Sequence, residues 1–320
     1  MKNYHRSLLT PLALLLTAMA ACTRQENKPA TPATAAAASD PVAVTAESKS
    51  HALTGEVIAV TPERSAVLVH HEEIPGYMPA MTMEFIVTPA DLARLKEGQR
   101  LRGRLTYDEK NELHLEGIEL IDAVKEREVT AAAAALRQDT TMRGKGAYRE
   151  IGETVPQFTL YNQNGEVVSL NRFRGRSVAL NFIYTRCPIA TMCPASTLRM
   201  MALQHAAKEK GITDLELVSI TLDPVYDTPS VLKNYADVRG IDSTNFTFLT
   251  GPESAVRDLL HQFGVIVEPG ENFLKHTLST LLIDGQGKII HRVDGTTWKP
   301  MDFLQRLPAP RSPAAASRFN

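Results

Sequence analysis

Val178-Ala-Leu-Asn-Phe-Ile-Tyr184 runs directly into Thr185-Arg186-Cys187-Pro-Ile-Ala-Thr-Met-Cys193-Pro194, and the reading of this stretch decides the fold of the C-terminal half. The apolar run has the length of a buried strand, and a helical pattern opens at Pro194, so both thiols fall at a strand-to-helix turn. The free amides and dipole of a helix's first turn favour anions, which lowers a thiol's pKa and populates the thiolate. A thiolate attacks disulfides or binds soft metals. The bland alternative, two structural cysteines or an inert disulfide, fits a strand-turn-helix setting less well.

Upstream of this stretch lie an extended segment after Ile151, a Gly165 turn and a strand over 167–170. Downstream come a helix over 195–210 stopped by Gly211, a strand over 215–222, a helix over 229–238, a strand over 246–249 and a helix over 252–263. A hairpin-like pair, 277–283 and 289–294, turns at Asp284-Gly285-Gln286-Gly287 and precedes a last helix from Pro300. Strands alternating with helices and closed by an antiparallel hairpin predict an α/β domain with a thioredoxin-type sheet over 149–308. Asp223, Asp227 and Thr228 read mainly as the entry to a helix, with Thr228 as N-cap and Pro229 first in the helix, and secondarily as groups that orient the thiol site. Met192 reads as a filler beside a helix start.

Residues 51–121 follow a different pattern. Segments 55–60, 66–72, 82–87, 99–107 and 112–120 are strand-length, and turn signals at Thr61-Pro62-Glu63, Pro75-Gly76, Gly98 and 108–111 separate them. Five short strands in about 70 residues predict a small all-β, OB-like five-stranded barrel. Three of the chain's 10 methionines, Met78, Met81 and Met83, crowd beside His70 and His71. Met81 and Met83 share a strand face by the two-residue period. Thioethers with an imidazole are soft donors suited to Cu(I) or Ag(I).

The chain is thus multi-domain, as its 320 residues allow. Lys and Arg total 35 against 36 Asp and Glu, so nothing in the charge balance suggests a nucleic-acid footprint. Lys2 and Arg6, the apolar segment 8–18 and Met19-Ala-Ala-Cys22 form an export signal over 1–21. It resembles a bacterial lipoprotein signal, with Cys22 as the lipidated residue. Loss of residues 1–21 removes two basic and no acidic residues, taking the net charge from −1 to −3. Residues 22–50 are rich in Ala, Pro, Thr and Ser and predict a disordered tether. Residues 122–148, with a possible helix over 126–137, predict a semi-rigid linker, and 309–320 a tail. Outside the cytoplasm the remaining two cysteines form a redox-sensitive pair.

Residues 51–121 resemble the CusF-type periplasmic copper-binding domain. The resemblance places His71, Met81 and Met83 on that family's His and two Met ligands. Met78 stands where the family has a Trp over the metal, so the cation–π contact is absent and Met78 is a candidate third thioether.

Residues of the second domain resemble the Sco/SenC family: Gly152-x-x-Val155-Pro-x-Phe158, Thr185-Arg186-Cys187-Pro188, Ser219-Ile-Thr-Leu-Asp223-Pro224 with Asp227-Thr228-Pro229, and Lys275-His276 before Leu281-Leu-Ile-Asp284. The resemblance implies copper ligation, as Cu(I) or Cu(II), by Cys187, Cys193 and His276. It also implies assembly of the binuclear copper site of cytochrome c oxidase. This chain departs from the family in having five residues, 188–192, between the cysteines instead of three.

The expected function is a periplasmic, lipid-anchored copper chaperone, with the first domain as donor across a linker of about 25 residues that makes transfer intramolecular. Its expected partners are an oxidase copper-site subunit or another cuproprotein, a periplasmic thiol reductant and a membrane. The alternatives are a thiol-disulfide reductase using Cys187 and Cys193, and copper or silver buffering dominated by the first domain.

Overall fold

The computed structural model describes residues 50–270 and 273–308. The signal segment, Cys22, the tether up to residue 49 and the tail from 309 lie outside the described residues.

The first domain is a closed barrel of β1 (His51–Thr61), β2 (Ala66–His71), β3 (Met81–Ile86), β4 (Arg100–Tyr107) and β5 (Leu113–Leu120), in the order β1-β2-β3-β5-β4, with a one-turn helix α1 (Pro89–Leu92) between β3 and β4. Alternation along each strand sends Leu53, Val57, Val67, Val69, Phe85, Leu101, Leu105 and Leu115 inward, all at most 1% exposed. His71, Met81 and Met83 lie on that same inward phase. Gly55 pairs with His71 across β1 and β2. A Cβ at Gly55 would stand 2.6 Å from both the His70 carbonyl oxygen and Val69 Cγ1, so glycine is what lets the two strands close beside His71.

The segment expected as a linker contains α2 (Ala123–Arg143), a helix longer than the predicted 126–137. Asp122 caps it, its carboxylate accepting from the Val124 and Lys125 amides. Only Val129 and Leu136 are buried along its 21 residues. Polar contacts accompany that burial: Arg137 pairs with Asp258 at 2.6 Å, and Asp139 accepts from Arg149 at 2.6 Å and from Gln262 at 2.9 Å. The alanine run hides this docking because it carries no apolar contrast.

The second domain contains β6 (Thr159–Asn162), β7 (Val167–Ser169), β8 (Ser177–Ile183), α3 (Cys193–Glu209), β9 (Leu215–Thr221), α4 (Pro229–Val238), β10 (Phe246–Thr250), α5 (Glu253–Gln262), β11 (Val267–Pro269), β12 (Leu274–His276), β13 (Ser279–Ile283), β14 (Ile289–Asp294) and α6 (Pro300–Leu304). A seven-stranded mixed sheet runs β14-β13-β8-β9-β10-β6-β7, with β8, β9 and β10 parallel and the flanking pairs antiparallel. Every residue of β8 and β9 is buried. Each fully buried large apolar side chain there contributes roughly 1.5–3 kcal/mol, which anchors the strand whose end carries the first thiol.

The helix α3 begins on Cys193 itself, one residue before the predicted Pro194. It ends at Glu209, and Gly211, with a φ of +66°, lets the Gly211 and Ile212 amides close on the Lys208 and Ala207 carbonyls. The two-stranded ribbon β11-β12 has no counterpart among the predicted elements.

Candidate metal centres

Cys187 follows the end of β8, and Cys193 is the first residue of α3. A buried polar chain fixes that helix to the sheet: Ser219 Oγ donates to Asn181 Oδ1 at 2.5 Å, and Asn181 Nδ2 donates to Ser196 Oγ at 2.8 Å. The sequence distance to the third residue, His276, is closed by β12, which ends on it. The donor atoms of Cys187, Cys193 and His276 lie within 4.8 Å of one another, so the five-residue spacing does not keep them apart. Both thiols are free, with Cys187 8% and Cys193 0% exposed.

Hydrogen bonding fixes the imidazole. His276 Nδ1 lies 3.0 Å from the Thr277 carbonyl oxygen, an acceptor only, so Nδ1 carries the proton and Nε2 turns its lone pair to Cys193 Sγ at 3.3 Å. Burial holds the His276 pKa below its usual value. Burial also pushes the Cys193 thiol up, and the neighbouring Cys187 adds to this against an opposing backbone hydrogen bond at Tyr184. Burial thus works against a Cys193 thiolate at this helix start. A soft cation is bound by the thiolate form, so its entry displaces the thiol proton. Tyr184 closes one side, its ring edge-on to His276 at 5.5 Å.

Asp227 braces the cysteine loop rather than capping a helix. Its carboxylate accepts from the Thr185 amide at 3.1 Å and from the hydroxyls of Thr185 at 2.5 Å and Thr221 at 2.6 Å. Thr228 is the N-cap of α4, its hydroxyl meeting Ser230 Oγ at 3.1 Å and no helix amide among the described residues, and Pro229 follows as expected. Met192 packs against the core. Burial pushes the Asp227 carboxyl up to about 6, although its hydrogen bonds from Thr185 and Thr221 pull the other way. A carboxyl raised in the folded state adds stability that is full below its unfolded value and is lost as pH rises through about 6. Urea unfolding is accordingly expected to show a loss of stability from pH 5 to pH 7 that shrinks in Asp227→Asn. An equal loss in parent and variant would assign it to another group.

In the barrel, His71 is directly opposite Met81 across β2 and β3, and Val69 is opposite Met83. Directly paired side chains are about 4.5–5.5 Å apart at Cβ, and the diagonal one remains within reach of a long side chain. His71 is fully buried, while Met81 at the strand start is 40% exposed. His71 Nδ1 lies 2.7 Å from the Glu72 carbonyl oxygen, and its Nε2 is buried with no hydrogen-bond partner among the described residues. An orphaned imidazole lone pair beside two thioethers fits a soft cation. Met78 sits in the turn held by reciprocal hydrogen bonds between Ile74 and Met78 and packs on the barrel core. Tyr77, beside it, stacks on His51 at 3.8 Å. A further trio, Asp108, Glu112 and His114, brings oxygen and nitrogen donors together at the β4–β5 turn.

The sequence profile of the family SCO1/SenC matches residues 146–308, just over half of the chain. The chain belongs to the SCO1/SenC family. The profile of the copper binding periplasmic protein CusF matches residues 50–120, so a CusF-like barrel is fused ahead of the Sco domain. The two matches together support a copper-handling role. The SCO1 protein homolog of Bacillus subtilis is 34% identical over 154 residues, 47% of this chain and 78% of that protein. A SCO1/SenC family lipoprotein from Bacillus anthracis is 28% identical, with a TM-score of 0.45, over 50% of this chain and 96% of the other. BsSco, described as a Sco family cytochrome c oxidase assembly protein with a disulfide switch, is 31% identical, with a TM-score of 0.43, over 50% and 94%.

Two supports of the Sco site escape the residue pattern, the ribbon that carries His276 and the Tyr184 ring, while the Asp227 brace corresponds to the secondary reading of that residue. Val265-Ile266-Val267 before Pro269-Gly270 is the one local signal for the ribbon.

Proposed function

We propose that this protein is a periplasmic copper chaperone. The Sco domain holds copper on Cys187, Cys193 and His276 and delivers it to the binuclear copper site of cytochrome c oxidase. The CusF-like barrel captures Cu(I) on His71, Met81 and Met83, assisted by Met78, and acts as the donor. Ag(I) is a second soft cation for the same barrel donors. The observation that carries the reading is the His276 Nε2 lone pair, held 3.3 Å from Cys193 Sγ within a three-donor cluster.

Two sulfurs and one nitrogen satisfy a soft ion while leaving room for an acceptor's ligands, so copper passes by ligand exchange without release. Location in the periplasm accords with the barrel's family. Cys22 is the residue proposed to carry a lipid anchor, and among the described residues no helix is long and apolar enough to cross a membrane.

The second reading, thiol-disulfide reduction, draws on the same two free, adjacent cysteines. His276→Ala separates the two, because dithiol reduction needs no imidazole at that position. In cells that depend on this chain for oxidase assembly, His276→Ala is expected to leave cytochrome c oxidase without its binuclear copper signal, while the purified variant still reduces a disulfide substrate. Full oxidase activity in those cells would overturn copper delivery and favour the reductase.

A further inference from the structure

Arg186 immediately precedes Cys187, and its side chain is held by the turn between β9 and α4. Its guanidinium donates to Asp223 at 2.8 Å and lies over the Tyr226 ring, 4.0 Å from the centroid. The same turn grips Thr185 through Asp227. It is itself tight, with the Tyr226 and Asp227 amides bonded to the Asp223 carbonyl at 3.1 and 2.8 Å. Two successive residues ahead of the first thiol are therefore positioned by residues 223–227.

The barrel reaches that turn as well. Arg104 of β4 donates to the Tyr226 carbonyl at 3.3 Å, and its guanidinium lies over the Tyr226 ring at 4.6 Å. Beside it, Glu119 of β5 accepts from the Ser230 amide at 3.1 Å, in the first turn of α4. There the carboxylate meets one of the amides that a helix start leaves unpaired. One tyrosine ring is thus shared by a barrel cation and by the cation beside Cys187.

We propose that Tyr226 is a positioning residue through which the docked barrel restrains the Cys187 loop. The barrel acts on the cysteine site mechanically, in addition to any copper it supplies. Restraint follows because exposing the buried Cys187 thiol requires the loop to open, and opening moves Arg186 away from Asp223 and Tyr226. Arg104 holds Tyr226 in place from the other domain. The claim concerns the metal-free chain, so it stands or falls separately from copper delivery.

The test is the rate at which a small alkylating reagent modifies Cys187 in the reduced, metal-free chain from residue 23 onward, followed by peptide mass spectrometry. Arg104→Ala and Tyr226→Leu are each expected to raise the rate roughly fivefold, the scale of one cation–π contact. Tyr226→Phe keeps the ring under both guanidinium groups and is expected to match the parent. Arg104→Ala lies on the barrel surface and leaves the Sco core intact, so it remains informative if a Tyr226 variant unfolds. An unchanged rate in Arg104→Ala would overturn the barrel's role. Equal acceleration in Tyr226→Phe and Tyr226→Leu would overturn the ring as the link.

Discussion

Replacing Cys193 by Ser is expected to abolish tight copper binding at the Sco domain and to leave the barrel's capacity unchanged. Cys193 Sγ is fully buried at the first residue of α3 and faces His276 Nε2 at 3.3 Å. A serine hydroxyl keeps nearly the same shape and still donates to that imidazole, so the fold survives. It does not ionise as a thiol does, and oxygen is a hard donor for which copper has little preference. Loss of an outer hydrogen-bond partner of a metal ligand costs roughly 10–100-fold in affinity, and loss of the ligand itself should exceed that. Competition against a chromophoric Cu(I) chelator measures it. An affinity within a factor of a few of the parent would remove Cys193 from the ligand set.

His71→Leu separates a binding histidine from a structural one by opposite signs. In the metal-free barrel the buried Nε2 has no partner among the described residues, and an unsatisfied buried polar atom costs about 1–3 kcal/mol. Leucine is close in volume and apolar, and it would meet Phe85, whose ring lies edge-on to His71 with centroids 6.3 Å apart. The metal-free barrel should therefore unfold at equal or higher urea concentration in the variant. Cu(I) should stabilise the parent barrel, as any ligand of the native state does, and should leave the variant unmoved. A large loss of metal-free stability would mark His71 as a packing residue. Retained stabilisation by Cu(I) would show that the thioethers suffice.

Much of the fold is legible in the chain. The barrel strands declare themselves because inward positions alternate, and turn residues such as Pro75-Gly76 and Gly98 mark their ends. β8 and β9 do so as short apolar runs that end in turn residues. The pairing of His71 with Met81 is not legible, because register depends on how β2 meets β3 and on the space left by Gly55.

The Sco site is legible in its residue types and not in its supports. The ribbon β11-β12 is too short to show a period, with three residues in each strand, yet it brings His276 to the thiols. Asp227 reads as a helix-entry residue because its partners, Thr185 and Thr221, belong to other elements. The helix start also argues for a lowered cysteine pKa, whereas burial raises that of Cys193. Depth below the surface is the quantity a linear pattern carries least well. The docking of α2 is hidden for a related reason, since it rests on two isolated apolar residues, Val129 and Leu136, and on ion pairs such as Arg137 with Asp258.

The central claim is two working copper sites on one chain, and anaerobic Cu(I) titration of residues 23–320 tests it most directly. The parent should bind two equivalents, His276→Ala should lose one, and Met81→Ala/Met83→Ala should lose the other. A parent that binds a single equivalent, removed only by the methionine changes, would contradict the account and leave Cys187 and Cys193 as a redox pair.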